Sequence, residues 1–152
     1  MDAVMVKLTV LGNGSLVWLV LSVVLLCGSE TRRTGLICLL ALLLAFLTGD
    51  LLLKNLFMRE RPFIQMPWLQ LLIDPPSGYS FPSGHTASSF AAATALSQQG
   101  KRAAVTAFIL AFLIAFSRVY LSVHFFSDIL GGIILGIACG LTAIFISKKV
   151  RV

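Results

Sequence analysis

Apolar residues in this chain come as long runs separated by short polar knots, a pattern of helices crossing hydrocarbon rather than of an amphipathic soluble fold. Residues 1–10 mix Met, Val and Leu with Asp2 and Lys7 and predict a short interfacial lead-in. Gly12-Asn13-Gly14-Ser15 breaks the pattern before a first span from Leu16 to about Gly28. That run is short against the roughly 20 residues a bilayer asks for, so it must recruit Val10 and Leu11 or sit tilted in a thin region. After a polar turn, Ser29 to Thr34, a Leu-rich second span runs from Gly35 to Leu53, interrupted only by Thr48-Gly49-Asp50. Lys54 to Ser80 is the longest non-spanning segment, with the aromatics Phe63, Trp68 and Tyr79 suited to the headgroup level. Within it, Met66 to Ile73 predicts a short interfacial helix, either an anchor or a lip over which a lipid passes.

Gly84 to about Gln99 reads as a helix of Ala, Ser and Thr, less apolar than a lipid-facing helix. Ala87, Ala91 and Ala95 recur every four residues and allow close helix approach, which places this helix at the bundle centre. Ala103 to about Val119 forms the fourth span and Phe125 to Ile146 the fifth, with Gly132, Gly136 and Gly140 on one face for packing. The expected fold is therefore all-α: one membrane-embedded domain over residues 1–152, with about five transmembrane helices plus a short interfacial helix.

Composition sharpens this picture. The chain is 58% hydrophobic and 12% charged, where soluble domains carry about 25% charged residues. The net charge of +6 then reads as topology signal rather than as a nucleic-acid surface. Cys27, Cys38 and Cys139 fall inside apolar runs without metal-ligand spacing, as small packing residues. Five spans put Arg32, Arg33, Lys101, Arg102, Lys148, Lys149 and Arg151 on one face, which the positive-inside rule makes cytoplasmic. The opposite, outward face receives Lys54, Arg61, His85, Arg118 and His124.

Charges at the membrane edge are costly and mark function. Lys54, Arg61 and Arg118 suit an anion with several oxygens, such as phosphate. In Phe81-Pro82-Ser83-Gly84-His85, Ser83 is a candidate N-cap, and a helix N-terminus offers N–H groups to an anion. Asp50 lies one turn before Lys54, either as a tether or with a direct part in the site. His124 and Asp128, four apart, predict a shared helix face on which the carboxylate takes the Nδ1 proton and leaves Nε2 as a nucleophile. His85, from another helix, is then free to protonate a leaving oxygen.

Lys54 with Arg61-Pro62, then Pro82-Ser83-Gly84-His85, then Ser117-Arg118 with His124 and Asp128 resemble, complete and in order, the three signatures of the type 2 phosphatidic acid phosphatase family. The resemblance covers roughly residues 50 to 130. It implies hydrolysis of a phosphate ester or anhydride through a phosphohistidine, with no metal or other cofactor. His124 would be the nucleophile oriented by Asp128, and His85 the general acid and later base. Lys54, Arg61, Ser83, Gly84 and Arg118 would bind the phosphoryl oxygens. Integral members of the family commonly have six spans against the five read here. That leaves open an absent N-terminal element, its replacement by a neighbouring subunit of a homo-oligomer, or a late start.

The leading reading is a lipid phosphatase in the cell membrane, its site on the extracytoplasmic face, acting on a polyprenyl diphosphate such as undecaprenyl diphosphate. Phosphatidylglycerophosphate or phosphatidic acid are the alternative substrates, since the motifs read the phosphate and not the tail. The partners expected are membrane lipids and the lipid phosphate itself, with no nucleic acid. A phospholipid-binding transporter would leave the His124–Asp128 pair unexplained, and vanadate-dependent peroxidase chemistry belongs to soluble relatives.

Overall fold

The computed structural model describes residues Met1–Val150; Arg151, counted above with the tail charges, lies outside them. Among the described residues the chain is all helical. Helix α1 (Asp2–Gly12) and α2 (Leu16–Leu26) are joined by a tight turn, Asn13–Ser15, at which Gly14 and Ser15 take left-handed φ of 55° and 58°. α3 (Arg32–Ala45) continues through widened π-type turns, Phe46–Leu53, into α4 (Lys54–Phe57). A single turn, α5 (Pro62–Gln65), follows, then α6 (Gly84–Leu96), α7 (Lys101–Tyr120) and α8 (Phe126–Val150).

Two expectations change here. The lead-in over residues 1–10 is helix, and together with α2 it makes one long apolar element, Asp2–Leu26. Met5, Thr9 and Gly12, at helical spacing, are its buried face and lie toward α7. Met66 to Ile73 is irregular; Pro67 lacks an N–H and biases Met66 away from helix, and the helical turn of this segment instead starts at Pro62, whose fixed φ suits a first helical position.

Four elements are long and apolar enough to cross a membrane: Asp2–Leu26, Arg32–Gln65, Lys101–Tyr120 and Phe126–Val150. The central helix α6 is not among them. Its 13 residues span about 20 Å at 1.5 Å per residue, well short of a ~30 Å hydrocarbon core. It is instead enclosed by protein, with every residue from Thr86 to Leu96 buried. The small residues expected to serve packing do so. A Cβ on Gly132 would come within 2.9 Å of the Ser83 carbonyl, and one on Gly140 within 2.5 Å of Thr94 Cβ, so α8 lies backbone-close on α6. Trp18 Nε1 donates to Ser89 Oγ at 2.9 Å and ties α2 to the same helix. Cys38 and Cys139 are buried as expected; Cys27, at the end of α2, is exposed.

At one end of the bundle Gln99 Nε2 donates to Thr34 Oγ1 at 2.5 Å, and Arg33 Nη2 to the Ser147 carbonyl at 3.3 Å. The ends of α6 and α8 and the starts of α3 and α7 therefore meet there. The other end collects the polar cluster.

Candidate active site

The N-terminus of α6 is built as its sequence suggests. Ser83 is extended (φ −68°, ψ 113°), and its Oγ accepts from the Thr86 N–H at 3.5 Å and from Thr86 Oγ1 at 3.0 Å. The hydroxyl is thus engaged as a cap in the wall behind the site. Gly84 faces the site, and a Cβ there would lie 2.9 Å from Asp50 Oδ1. Asp50 pairs with Lys54 one turn on, as the tether reading expects, and its side chain also lines the site cavity.

The loop from Leu121 to Phe125 sets the second histidine. His124 precedes α8 rather than sharing a helix face with Asp128, and the two meet because Asp128 occupies the third position of α8. From there its Oδ2 reaches back to accept the Phe125 N–H at 2.9 Å, half of a capping box. The same oxygen accepts from Ser80 Oγ at 2.5 Å and stands 3.4 Å from His124 Nδ1; Oδ1 accepts from Arg59 Nη1 at 2.7 Å. Ser80 Oγ is itself 3.4 Å from Nδ1. On the other side of the ring, Arg61 Nη1 lies 3.3 Å from Nε2. A guanidinium only donates, so Nε2 presents its lone pair and the neutral ring carries its proton on Nδ1, beside Asp128. The ring is 3% exposed. Burial, opposed by the Asp128 hydrogen bond and reinforced by the charges of Arg61 and Arg118, holds its pKa down to about 4, so it is neutral at pH 7.

The cations are held in different ways. Arg61 is buried and donates to the carbonyls of Gly78 (2.8 Å), Ser77 (3.0 Å) and Val123 (3.1 Å). Arg118, also buried, donates through Nη1 to Thr9 Oγ1, while its buried Nε has no partner among the described residues. His85 Nε2 is 2.9 Å from Asn13 Oδ1.

Lys54, Arg61, Gly84, His85, Arg118 and His124 line one cavity of about 460 Å³. His85 and Arg118 also border a second, of about 730 Å³, whose walls include Val6, Val10, Leu71 and Ile73. The structure thus gathers six of the eight expected site residues on the first cavity and sets Ser83 and Asp128 immediately behind it. Four contributors were not expected: Thr9, Asn13, Arg59 and Ser80. The first two carried a signal, being polar and four apart in an otherwise apolar stretch. Ser80 carried none, because its contact with Asp128 spans 48 positions.

A family profile described as PAP2 superfamily matches residues 34–151. Among solved structures, LpxE of Aquifex aeolicus superposes with a TM-score of 0.82 at 31% identity, covering 95% of this chain and 85% of that one. A transmembrane PAP2-type phosphatidylglycerolphosphate phosphatase from Bacillus subtilis superposes with a TM-score of 0.78 at 29% identity, covering 97% and 77%. No protein of curated description matches the chain. With its signature histidines and cations converging on one cavity of a helical membrane bundle, the chain belongs to the PAP2 superfamily, as a PAP2-type membrane lipid phosphatase.

Proposed function

We propose that the chain hydrolyses a lipid-borne phosphate by passing the phosphoryl group to His124 and then to water, without a metal. The observation that carries this is the sidedness of the His124 ring: Arg61 donates to Nε2 while Asp128 and Ser80 stand at Nδ1. The Nε2 lone pair forms the N–P bond as the P–O bond to the leaving group breaks (the bridging oxygen of a diphosphate, which departs on the lipid monophosphate, or the ester oxygen of a monophosphate), and His85 gives a proton to the departing oxygen. A water then attacks phosphorus as His85 takes its proton back. The P–N bond breaks, inorganic phosphate leaves and His124 is restored. Lys54, Arg61, Arg118 and the backbone at Gly84 meet the phosphoryl oxygens, and the unpartnered Arg118 Nε is a donor ready for one. Ser83 contributes by capping α6 and so aiming its first N–H groups.

The proposed substrate is a polyprenyl diphosphate, undecaprenyl diphosphate foremost; the small extramembrane segments suit a lipid rather than a large soluble molecule. Phosphatidylglycerophosphate is the second reading, favoured by the likeness to the Bacillus subtilis enzyme. The bias of Arg and Lys toward the opposite end supports a site on the outer face of the cell membrane. The test is phosphate release by the purified protein in detergent with excess EDTA. Undecaprenyl diphosphate, phosphatidylglycerophosphate and phosphatidic acid are offered in parallel, beside His124→Ala. Release that survives EDTA and vanishes in the variant is expected, the fastest substrate deciding the tail. Release abolished by EDTA, or retained by His124→Ala, would overturn the mechanism.

A further inference from the structure

The two imidazoles are held alike: each has one nitrogen beside a side-chain oxygen. For His124 the oxygen is a carboxylate from a family signature. For His85 it is the amide of Asn13, at 2.9 Å, and Asn13 precedes residue 34, where the family match begins. We infer that Asn13 is a positioning residue for His85, its carbonyl oxygen holding the Nε2–H so that proton transfer falls to Nδ1. This rests on the role proposed above for His85.

The local backbone is built for that contact. At residue 12 a Cβ would come 2.6 Å from His85 Cδ2 and 2.9 Å from Ile114 Cγ2, so only glycine lets α1 lie against the ring. Directly after Asn13 the left-handed Gly14 and Ser15 turn the chain into α2, leaving the amide at the end of α1. One turn earlier, Thr9 receives Arg118, and Asp2 receives the Tyr120 hydroxyl at 2.6 Å, so the approach of α1 is fixed at three levels.

The chemistry selects an amide. To act as acid, His85 carries a proton on both nitrogens, and only an acceptor oxygen can then face Nε2. The titratable and charged groups that share its two cavities are the carboxylates Asp50, paired with Lys54, and Asp74, the imidazole of His124, and the cations Lys54, Arg61 and Arg118. A carboxylate in place of Asn13 would hold His85 protonated against them, whereas a neutral carbonyl orients the ring and leaves the proton free to move.

The test measures steady-state phosphate release, from whichever of the three lipids wild type hydrolyses fastest, in detergent across pH for wild type, Asn13→Ala, Asn13→Asp and His85→Ala. Asn13→Ala should lower kcat by about 10–100-fold, by analogy with metal-bound histidines that lose their orienting partner, with KM little changed. Its basic limb should move to lower pH. Asn13→Asp should regain much of kcat and move that limb to higher pH. Wild-type kcat in Asn13→Ala, or equal losses in both variants with unshifted limbs, would overturn the inference and leave α1 a packing element. If Asn13→Ala does not yield monodisperse protein, the limb of Asn13→Asp decides alone: shifted up supports, unshifted overturns. A His85→Ala variant as active as wild type would instead remove the role of His85 itself. An inactive His85→Ala beside a fully active Asn13→Ala would remove only that of Asn13.

Discussion

The surroundings of the two histidines differ in how much of the protein holds each one. His124 sits in a loop fixed by Arg61, Ser80, Arg59 and Asp128, which come from three separated stretches of chain and hold both ring nitrogens. His85 rises from the first turn of the buried central helix and has, among the described residues, a single side-chain hydrogen-bond partner, Asn13. The difference suits the work proposed for each. A group that forms a covalent bond to phosphorus gains from being fixed in one tautomer and kept neutral. A group that gives and retakes a proton gains from a lighter hold.

The largest effect expected from breaking the His124 side is in His124→Ala, which should lose phosphate release to background; measurable turnover in a folded variant would move the nucleophile elsewhere. Asp128→Asn keeps the shape but removes the charge beside Nδ1, and a loss of about 10²–10⁴-fold in kcat is expected by analogy with other carboxylate–histidine pairs. Ser80→Ala removes one of the groups at Nδ1 and one donor to Asp128, and should cost about 10-fold, at the low end for an outer partner. The acid limb of the rate profile sharpens the comparison further. Because the His124 pKa lies below the ordinary value near 6.5, the ring stays neutral as pH falls through 6.5, and activity should decline only toward about 4. A limb at 6.5 would show that burial does not govern the ring. The smallest effect is structural: Trp18→Phe, behind α6 and outside the lining of both cavities, should leave kcat unchanged. It should cost about 1 kcal/mol of stability in a detergent unfolding titration.

Much of the site was legible in the sequence, because its signatures are short-range: a cap at Ser83 ahead of His85, a carboxylate four residues from the His124 imidazole, an Arg-Pro step. The small-residue spacing of α6 and the glycines of α8 likewise announced close packing, and the structure places them face to face. What was not legible depends on distant juxtaposition. Residues 1–10 read as a lead-in because Asp2 and Lys7 dilute the apolar run; only the buried faces of α1 and α7, fitted together, reveal a helix over the site. Asn13 read as part of a turn, which it is, but its partner lies 72 residues away. The apolar stretch Met66–Ile73 misled for the opposite reason, since composition outweighed the veto of Pro67.

Arg61 has a consequence of its own. A guanidinium has five N–H donors, and here four contacts tie it to Ser77, Gly78, Val123 and His124. The side chain is a strut between two loops as well as a charge facing the cavity, and one atom group cannot be altered for one duty without disturbing the other. Lys54 and Arg118 hang from helices and are tied more lightly, to Asp50 and to Thr9. Among the cations Arg61 is the keystone, and any change there redraws the arch.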